Sequence, residues 1–155
     1  MAANTDQSTK RKDPLPVFCF RIIIDLAGGA DDSVSGYFKS MSGLKFETES
    51  IPVKEGGTND TTFMLVGATK WAPIVLKQGF TGSSKVLEWR EQWIAGAGKR
   101  SNGVIQQLDT TLTVRKAWKF HRGWPTKWEL SELDASKSEV AIETLEITHE
   151  GLQSA

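Results

Sequence analysis

Apolar and polar residues alternate along much of this chain with the two-residue period of strands buried on one face. From Val17 to Leu26 the even positions Phe18, Phe20, Ile22, Ile24 and Leu26 are all apolar, while the odd ones include Arg21 and Asp25, which predicts the clearest strand. The small and acidic cluster from Ala27 to Asp32 breaks that strand as a loop. Tyr37 to Ser42 and Leu44 to Val53 predict two more strands, with Gly43 as a bend between them and Phe46, Ile51 and Val53 as anchors. Trp71 to Phe80 is a further strand, and Gly103 to Leu108 another of weaker alternation that ends in the turn Asp109-Thr110-Thr111. Leu112, Val114, Trp118 and Phe120 then share one parity, against Thr113, Arg115, Lys119 and His121. In Trp124-Pro125-Thr126-Lys127-Trp128 the proline has no N–H and holds Trp124 extended, so the chain is expected to leave a central ladder and turn a corner.

Two runs need more than parity. Between Glu139 and Glu150, Val140 and Ile142 are even and Leu145 and Ile147 odd, so the apolar phase slips near Glu143 and Thr144 and a strand requires a bulge there. A helix capped by Ser136 and Glu139 and stopped at Gly151 is the alternative; the β-branched Val140, Ile142, Thr144, Ile147 and Thr148 favour the strand. In the run after Ser84, Val86, Trp89 and Trp93, flanked by Leu87, Arg90 and Ile94, recur at three- and four-residue spacing. That predicts an amphipathic helix over about 84–95, capped by Ser83 or Ser84, stopped by Gly96, and facing the core with Val86, Trp89, Trp93 and Ile94. The expected fold class is mainly β: an antiparallel barrel or sandwich with one flanking helix.

Lys54 to Lys70 stands apart. Its glycines, Asn59-Asp60 and threonines, followed by Phe63-Met64-Leu65-Val66, predict a long projecting hairpin over about 46–70 with its tip at Glu55 to Asp60. An apolar patch on so extended an element is costly in water, which points to docking.

Composition narrows the classes. At 155 residues the chain is long enough to bury roughly two-thirds of its unfolded surface, without disulfide or metal staples. Residues 1–14 are expected to be a flexible polar arm carrying Lys10, Arg11 and Lys12, with residues 15–155 a single domain. Nineteen basic residues balance nineteen acidic ones, which argues against tight specific nucleic-acid binding and leaves little charge repulsion between copies. Cys19, the one cysteine, lies in an apolar run, where a free thiol is a small buried hydrophobe in a reducing compartment. No window reaches the eighteen apolar residues of a membrane helix and the N-terminus lacks a signal-peptide core, so synthesis in the cytoplasm is expected.

Candidate chemistry is sparse. His121 and His149 have no Cys or His at ligand spacing, a Cys19–His149 nucleophilic pair has no recognisable signature, and Gly28 to Asp32 lacks the Lys-Ser/Thr ending of a phosphate loop. Glu47, Glu49 and Glu55 are explained as charge on the solvent side of a strand. Three of the six tryptophans fall on presumed core stripes, which favours packing or subunit burial over a sugar-binding face. No catalytic residue, metal ligand or cofactor site is expected, and no enzymatic activity.

The order WP-x-KWE, then SEVAIETLEI-x-HEGL, together with DPLPVFCFRIIID and GYFKSMSGLKFETESI near the start, resembles the inner tube proteins of contractile phage tails and phage-tail-like injection systems, the Hcp-like family. The likeness extends from Asp13 to Leu152. It implies a structural subunit forming hexameric rings that stack into a hollow tube, a conduit for DNA or protein cargo. It also implies a mature location inside the assembled particle, with the sheath and baseplate or spike-adaptor proteins as further partners. Glu55, Asn59, Phe63, Met64, Leu65 and Val66 then become the ring-stacking candidates, and Val140, Ile142, Leu145 and Ile147 the candidates for a strand shared between subunits. Composition alone equally allows a monomeric β-barrel that binds a ligand.

Overall fold

The computed structural model describes residues 19–25, 33–57, 60–79 and 85–155. In chain order these form β1 (Cys19–Asp25), β2 (Ser33–Phe38), β3 (Ser40–Ser42), β4 (Phe46–Lys54), β5 (Thr62–Trp71), β6 (Ile74–Gly79), α1 (Lys85–Ile94), β7 (Ser101–Leu108), β8 (Val114–Leu130), β9 (Ile142–Thr148) and β10 (Gly151–Ser154). The expected arm over 1–14, the loop from Ala27 to Asp32, Asn59 and the helix caps Ser83 and Ser84 lie outside the described residues.

One antiparallel sheet runs in the order β2-β1-β7-β8-β9-β6-β3, with β10 paired to β8. Its two ends are successive pieces of one run of chain: β2 passes into β3 at Lys39, whose amide donates to the Lys77 carbonyl at 2.9 Å. The path therefore returns on itself as a barrel, and alternate residues fill it. Phe20, Ile22 and Ile24 of β1 meet Ile105, Phe120, Leu145, Ile147, Ile74 and Leu76 in one buried cluster, with Phe38 and Trp89 at its flank. This is the mainly β, antiparallel fold with one helix that the sequence predicts.

Three details differ from expectation. First, β8 does not end at Pro125. It is one strand of 17 residues that pairs with β7 and β10 in its first half and with β9 in its second, Pro125 lying opposite Ile147. Pairing with β7 stops where Ser101 faces Gly123, so only one edge of β8 is occupied at Pro125 and the missing donor is tolerated. The corner is a bend, marked by Arg122 at φ 53° and by a bulge between Pro125 and Lys127. Leu112, expected in this strand, is exposed at φ 59° in the preceding turn. Asp109 builds that turn: its carboxylate accepts from the Thr111 hydroxyl at 2.6 Å, the Thr113 amide at 3.0 Å and Arg115 Nε at 2.6 Å. Those bonds, the Thr111 hydroxyl foremost, hold its carboxyl well below the usual carboxylate range.

Second, β9 has no bulge. Glu143, Leu145, Ile147 and His149 are all buried, whereas Ile142 faces outward and Val140, 76% exposed, precedes the strand. The phase slip in the sequence is a buried carboxylate: Glu143 accepts from Trp128 Nε1 at 2.6 Å and from Gln78 Nε2 at 2.8 Å, which satisfies it inside the barrel. Opposite Glu143 and Thr144 the pairing with Leu130 and Glu129 is regular; the one bulge in this pair lies in β8 after Pro125, facing Ile147 and Glu146.

Third, α1 presents a narrower face than its spacing suggests. Trp89 is 1% exposed and Trp93 packs against the core, but Ile94 is 70% exposed and is not a core residue; the Val86 side chain lies outside the described residues. Gly96, at φ 80°, ends the helix as expected: its amide donates to the Trp93 carbonyl at 3.2 Å and the Ala97 amide to that of Gln92 at 3.0 Å.

Candidate functional site

Among the described residues β4 and β5 pair only with each other, as a two-stranded sheet apart from the barrel. Register places Ile51 opposite Leu65 and Val53 opposite Phe63 on one face, and Pro52 opposite Met64 and Ser50 opposite Val66 on the other. All the large apolar side chains among these are exposed, Val66 by 85%. Ile51 and Val53, with Phe46 further down, are therefore not the core anchors they were expected to be. An isolated ribbon of two strands is marginal in water, and this one carries apolar residues on both faces.

Sequence patterning explains the geometry. The chain opposes Glu49 with both Gly67 and Ala68, a bulge that changes the ribbon's twist between root and tip. A side chain at Gly67 would press on the Glu49 carbonyl at 2.9 Å, so glycine lets the strands approach there. Below the bulge the surface turns polar: Thr48 and Thr69 hydroxyls bond at 2.9 Å, and Glu47 lies opposite Lys70. Glu55 is exposed beside the turn at Gly56-Gly57, in keeping with a solvent-facing carboxylate.

The root is fastened to the barrel. Gly43 sits at φ 93°, and a Cβ there would fall 2.0 Å from the Pro73 carbonyl oxygen, so the two ends of the hairpin touch backbone to backbone. The Ala72 amide donates to the Lys45 carbonyl at 3.1 Å. Aromatic rings continue inward: Phe46 lies 5.6 Å from Trp71, Trp71 5.9 Å from His149, and His149 6.4 Å from the core residue Phe120. His149 is neither solvated nor at an open surface. It is buried, with Nε2 at 3.1 Å from the Ala72 carbonyl oxygen and Nδ1 at 3.1 Å from that of Gly151. Neutral imidazole has one N–H, so it bonds one of these carbonyls and leaves the other facing a lone pair. Burial pushes its pKa down, against the two carbonyls that push it up. Its role at the root was missed from sequence; the odd parity it shares with Leu145 and Ile147 was the available signal.

The candidate residues separate into groups. Glu55, Phe63, Met64, Leu65 and Val66 lie together on the hairpin, while Val140 and Ile142 are exposed at the far end of β9. Leu145 and Ile147 are 1% and 0% exposed inside their own barrel, and β9 is paired on both edges, by β6 and β8. They have nothing left to offer another subunit. The outer edge of β10, by contrast, has no strand partner among the described residues. A charged surface cluster flanks that end of the barrel, where Glu150 binds both Arg100 and Arg122 and the Arg100 guanidinium stacks 4.2 Å over Trp124.

The family model for the T4-like virus tail tube protein gp19 matches residues 16–153. Among solved structures, a chain of the anti-feeding prophage baseplate is similar at 21% identity and TM-score 0.79, over 93% of this chain and 97% of that one. A chain of the extended sheath–tube complex of the extracellular contractile injection system PVC is similar at 19% identity and TM-score 0.74, over the whole of both chains. Hcp1 from Flavobacterium johnsoniae is similar at 16% identity and TM-score 0.50, over 89% of this chain and 95% of its own. A comparison with curated protein sequences returns no match.

Proposed function

The chain belongs to the T4-like virus tail tube protein family, and from that premise we propose that this tube subunit forms hexameric rings that stack through the β4–β5 hairpin into the inner tube of a contractile injection particle. One observation carries the reading: a ribbon fastened at its root to the barrel carries apolar residues on both faces, and none of the described residues covers either. The tips, through Glu55, Phe63, Met64, Leu65 and Val66, seat on the neighbouring ring. Asn59 belongs to the same tip by sequence. Within a ring the free edge of β10 and the exposed Val140 and Ile142 are the surfaces open to sister subunits, the edge through main-chain bonds. Sheath proteins surround the tube, a baseplate or spike adaptor receives its end, and DNA or protein cargo passes through the lumen. The similar structures belong to a baseplate and a sheath–tube complex, which supports these partners.

Filling of the barrel interior weighs against a monomeric ligand-binding barrel, since Ile22, Ile24, Ile105, Phe120 and Ile147 occupy the space a ligand needs. Size-exclusion chromatography with light scattering tests the two directly. Rings or stacks of rings are expected; a monodisperse monomer up to high concentration contradicts the proposal.

A further inference from the structure

The apolar side chains near the tip of the β4–β5 ribbon are divided between its faces. Ile51, Val53, Phe63 and Leu65 stand on one, exposed by 38% to 54%; Pro52, Met64 and Val66 stand on the other, the last two exposed by 59% and 85%. The groups occupy adjacent rungs, Ile51–Leu65 next to Pro52–Met64, so they lie back to back at one level of the ribbon. A single flat surface covers one group and leaves the other in water.

The faces differ in charge as well. Below the first group, on the same face, come Glu47 and Glu49 with Lys70, two negative charges against one positive. The second face carries only Lys54, at its outermost rung, and is otherwise uncharged down through Thr48 and Thr69. Lys45 precedes the ladder, and Glu55 and Asp60 flank the turn beyond it. The two faces therefore call for unlike covers, one suited to a negative surface and one to a positive surface.

Size decides where those covers come from. Sheets pack face to face about 10 Å apart, so a slot that closes on both faces of a ribbon is about 20 Å wide. A chain of 155 residues has a radius of gyration of roughly 15 Å, and a slot of that width would remove about half of its breadth. The barrel has no such breadth to give, because its own core fills it. Among the described residues its surface hollows are charged or apolar on one side only: Glu132, Asp134, Lys137 and Glu139 line the one at the β8–β9 loop, and Val140 and Ile142 face Lys39 and Ser40 across another. A closed ring supplies what one subunit lacks. Each subunit turns two different sides to its two neighbours, so every boundary is a cleft between unlike walls.

We infer that each hairpin is wedged between two subunits of the adjacent ring, its Leu65 face on one and its Met64 face on the other. This rests on the stacking role proposed above and adds the number of partners to it: each stacking contact joins three chains. It also fixes the rotation of one ring on the next, since the wedge enters only at the boundaries.

The test assembles tubes from unmodified chain mixed with a small minority of tagged chain, which carries photo-reactive benzoylphenylalanine in place of Val53, of Met64, or of both. After irradiation the tagged species are sized on denaturing gels and the cross-linked peptides identified by mass. Dimers are expected from either position alone and trimers from the doubly labelled chain, with barrel residues of the partner chains at each site. A doubly labelled chain that stops at dimers in intact tubes overturns the inference and leaves stacking through the hairpin standing. Cross-links at both positions to hairpin residues overturn it too, because they set the hairpins of one ring against each other. Tubes with no cross-link at either position, or no tubes from the unmodified chain, overturn the stacking role and this inference with it. Leu65→Ser and Val66→Ser, one on each face, are each expected to raise the concentration needed for tubes roughly tenfold; an effect confined to one face contradicts the wedge.

Discussion

Trp89 and Ile94 lie five positions apart on α1 and differ in everything but their apolar character. Trp89 is inside the cluster with Phe38, whereas Ile94 is largely in solvent. Trp89→Ala is therefore expected to destabilise the subunit by about 3–5 kcal/mol, and Ile94→Ala by no more than about 0.5 kcal/mol; chemical denaturation of the two variants checks both. Equal losses mean that α1 is rotated from the position described. His149 gives a pH signature at the same scale. Its folded pKa lies below the ordinary value of 6.5, so above that value neither state binds the proton and stability is unaffected. As pH falls below it, the unfolded chain protonates first and stability is lost until the folded pKa is passed. The melting temperature is expected to drop between pH 7 and pH 5, and His149→Gln to flatten that drop. An unchanged profile in the variant refutes the assignment. Asp109 acts in a separate window: its depressed pKa keeps the β7–β8 turn intact until strongly acidic pH, where that contribution is lost.

At the level of elements, the hairpin is separable from the barrel because, among the described residues, its strands pair only with each other. Ser50 and Val66 face each other in the ladder, so replacing residues 51–65 with a two-residue glycine turn joins an existing pair and keeps the root at Gly43, Trp71 and His149. Melting is expected to stay near that of the intact chain, since a surface insertion contributes little to closure free energy; a cooperative loss of fold in calorimetry contradicts this. The hairpin and β1 were legible in the sequence because each shows one signal without a rival: a glycine-rich tip before an apolar patch, and five even apolar positions. Three features were not. Parity has no means of marking Glu143 as buried, because its inward position depends on donors from Trp128 and Gln78, far apart in the chain. Pro125 read as a break because the vacancy on one edge of β8 is set by where β7 ends. Ile94 shared the helical spacing of a core face, yet α1 turns Trp89 and Trp93 to the core and leaves Ile94 at 70% exposure, a tilt that spacing does not encode.

For the molecule as a whole, the account rests on a division of labour. The barrel fills its interior and completes itself, and the apolar surface it cannot cover is concentrated on the hairpin and the β8–β9 loop. Balanced charge, nineteen of each sign, leaves little repulsion to oppose closing copies into a ring. Under the proposed function, stacking is assigned to the hairpin and ring closure is expected to survive without it. Electron microscopy of the concentrated protein, intact beside the hairpin-shortened form, measures both together. The account predicts hollow tubes of stacked six-fold rings for the intact chain and single rings for the shortened one. Long tubes from the shortened chain, or isolated monomers from the intact one, contradict it.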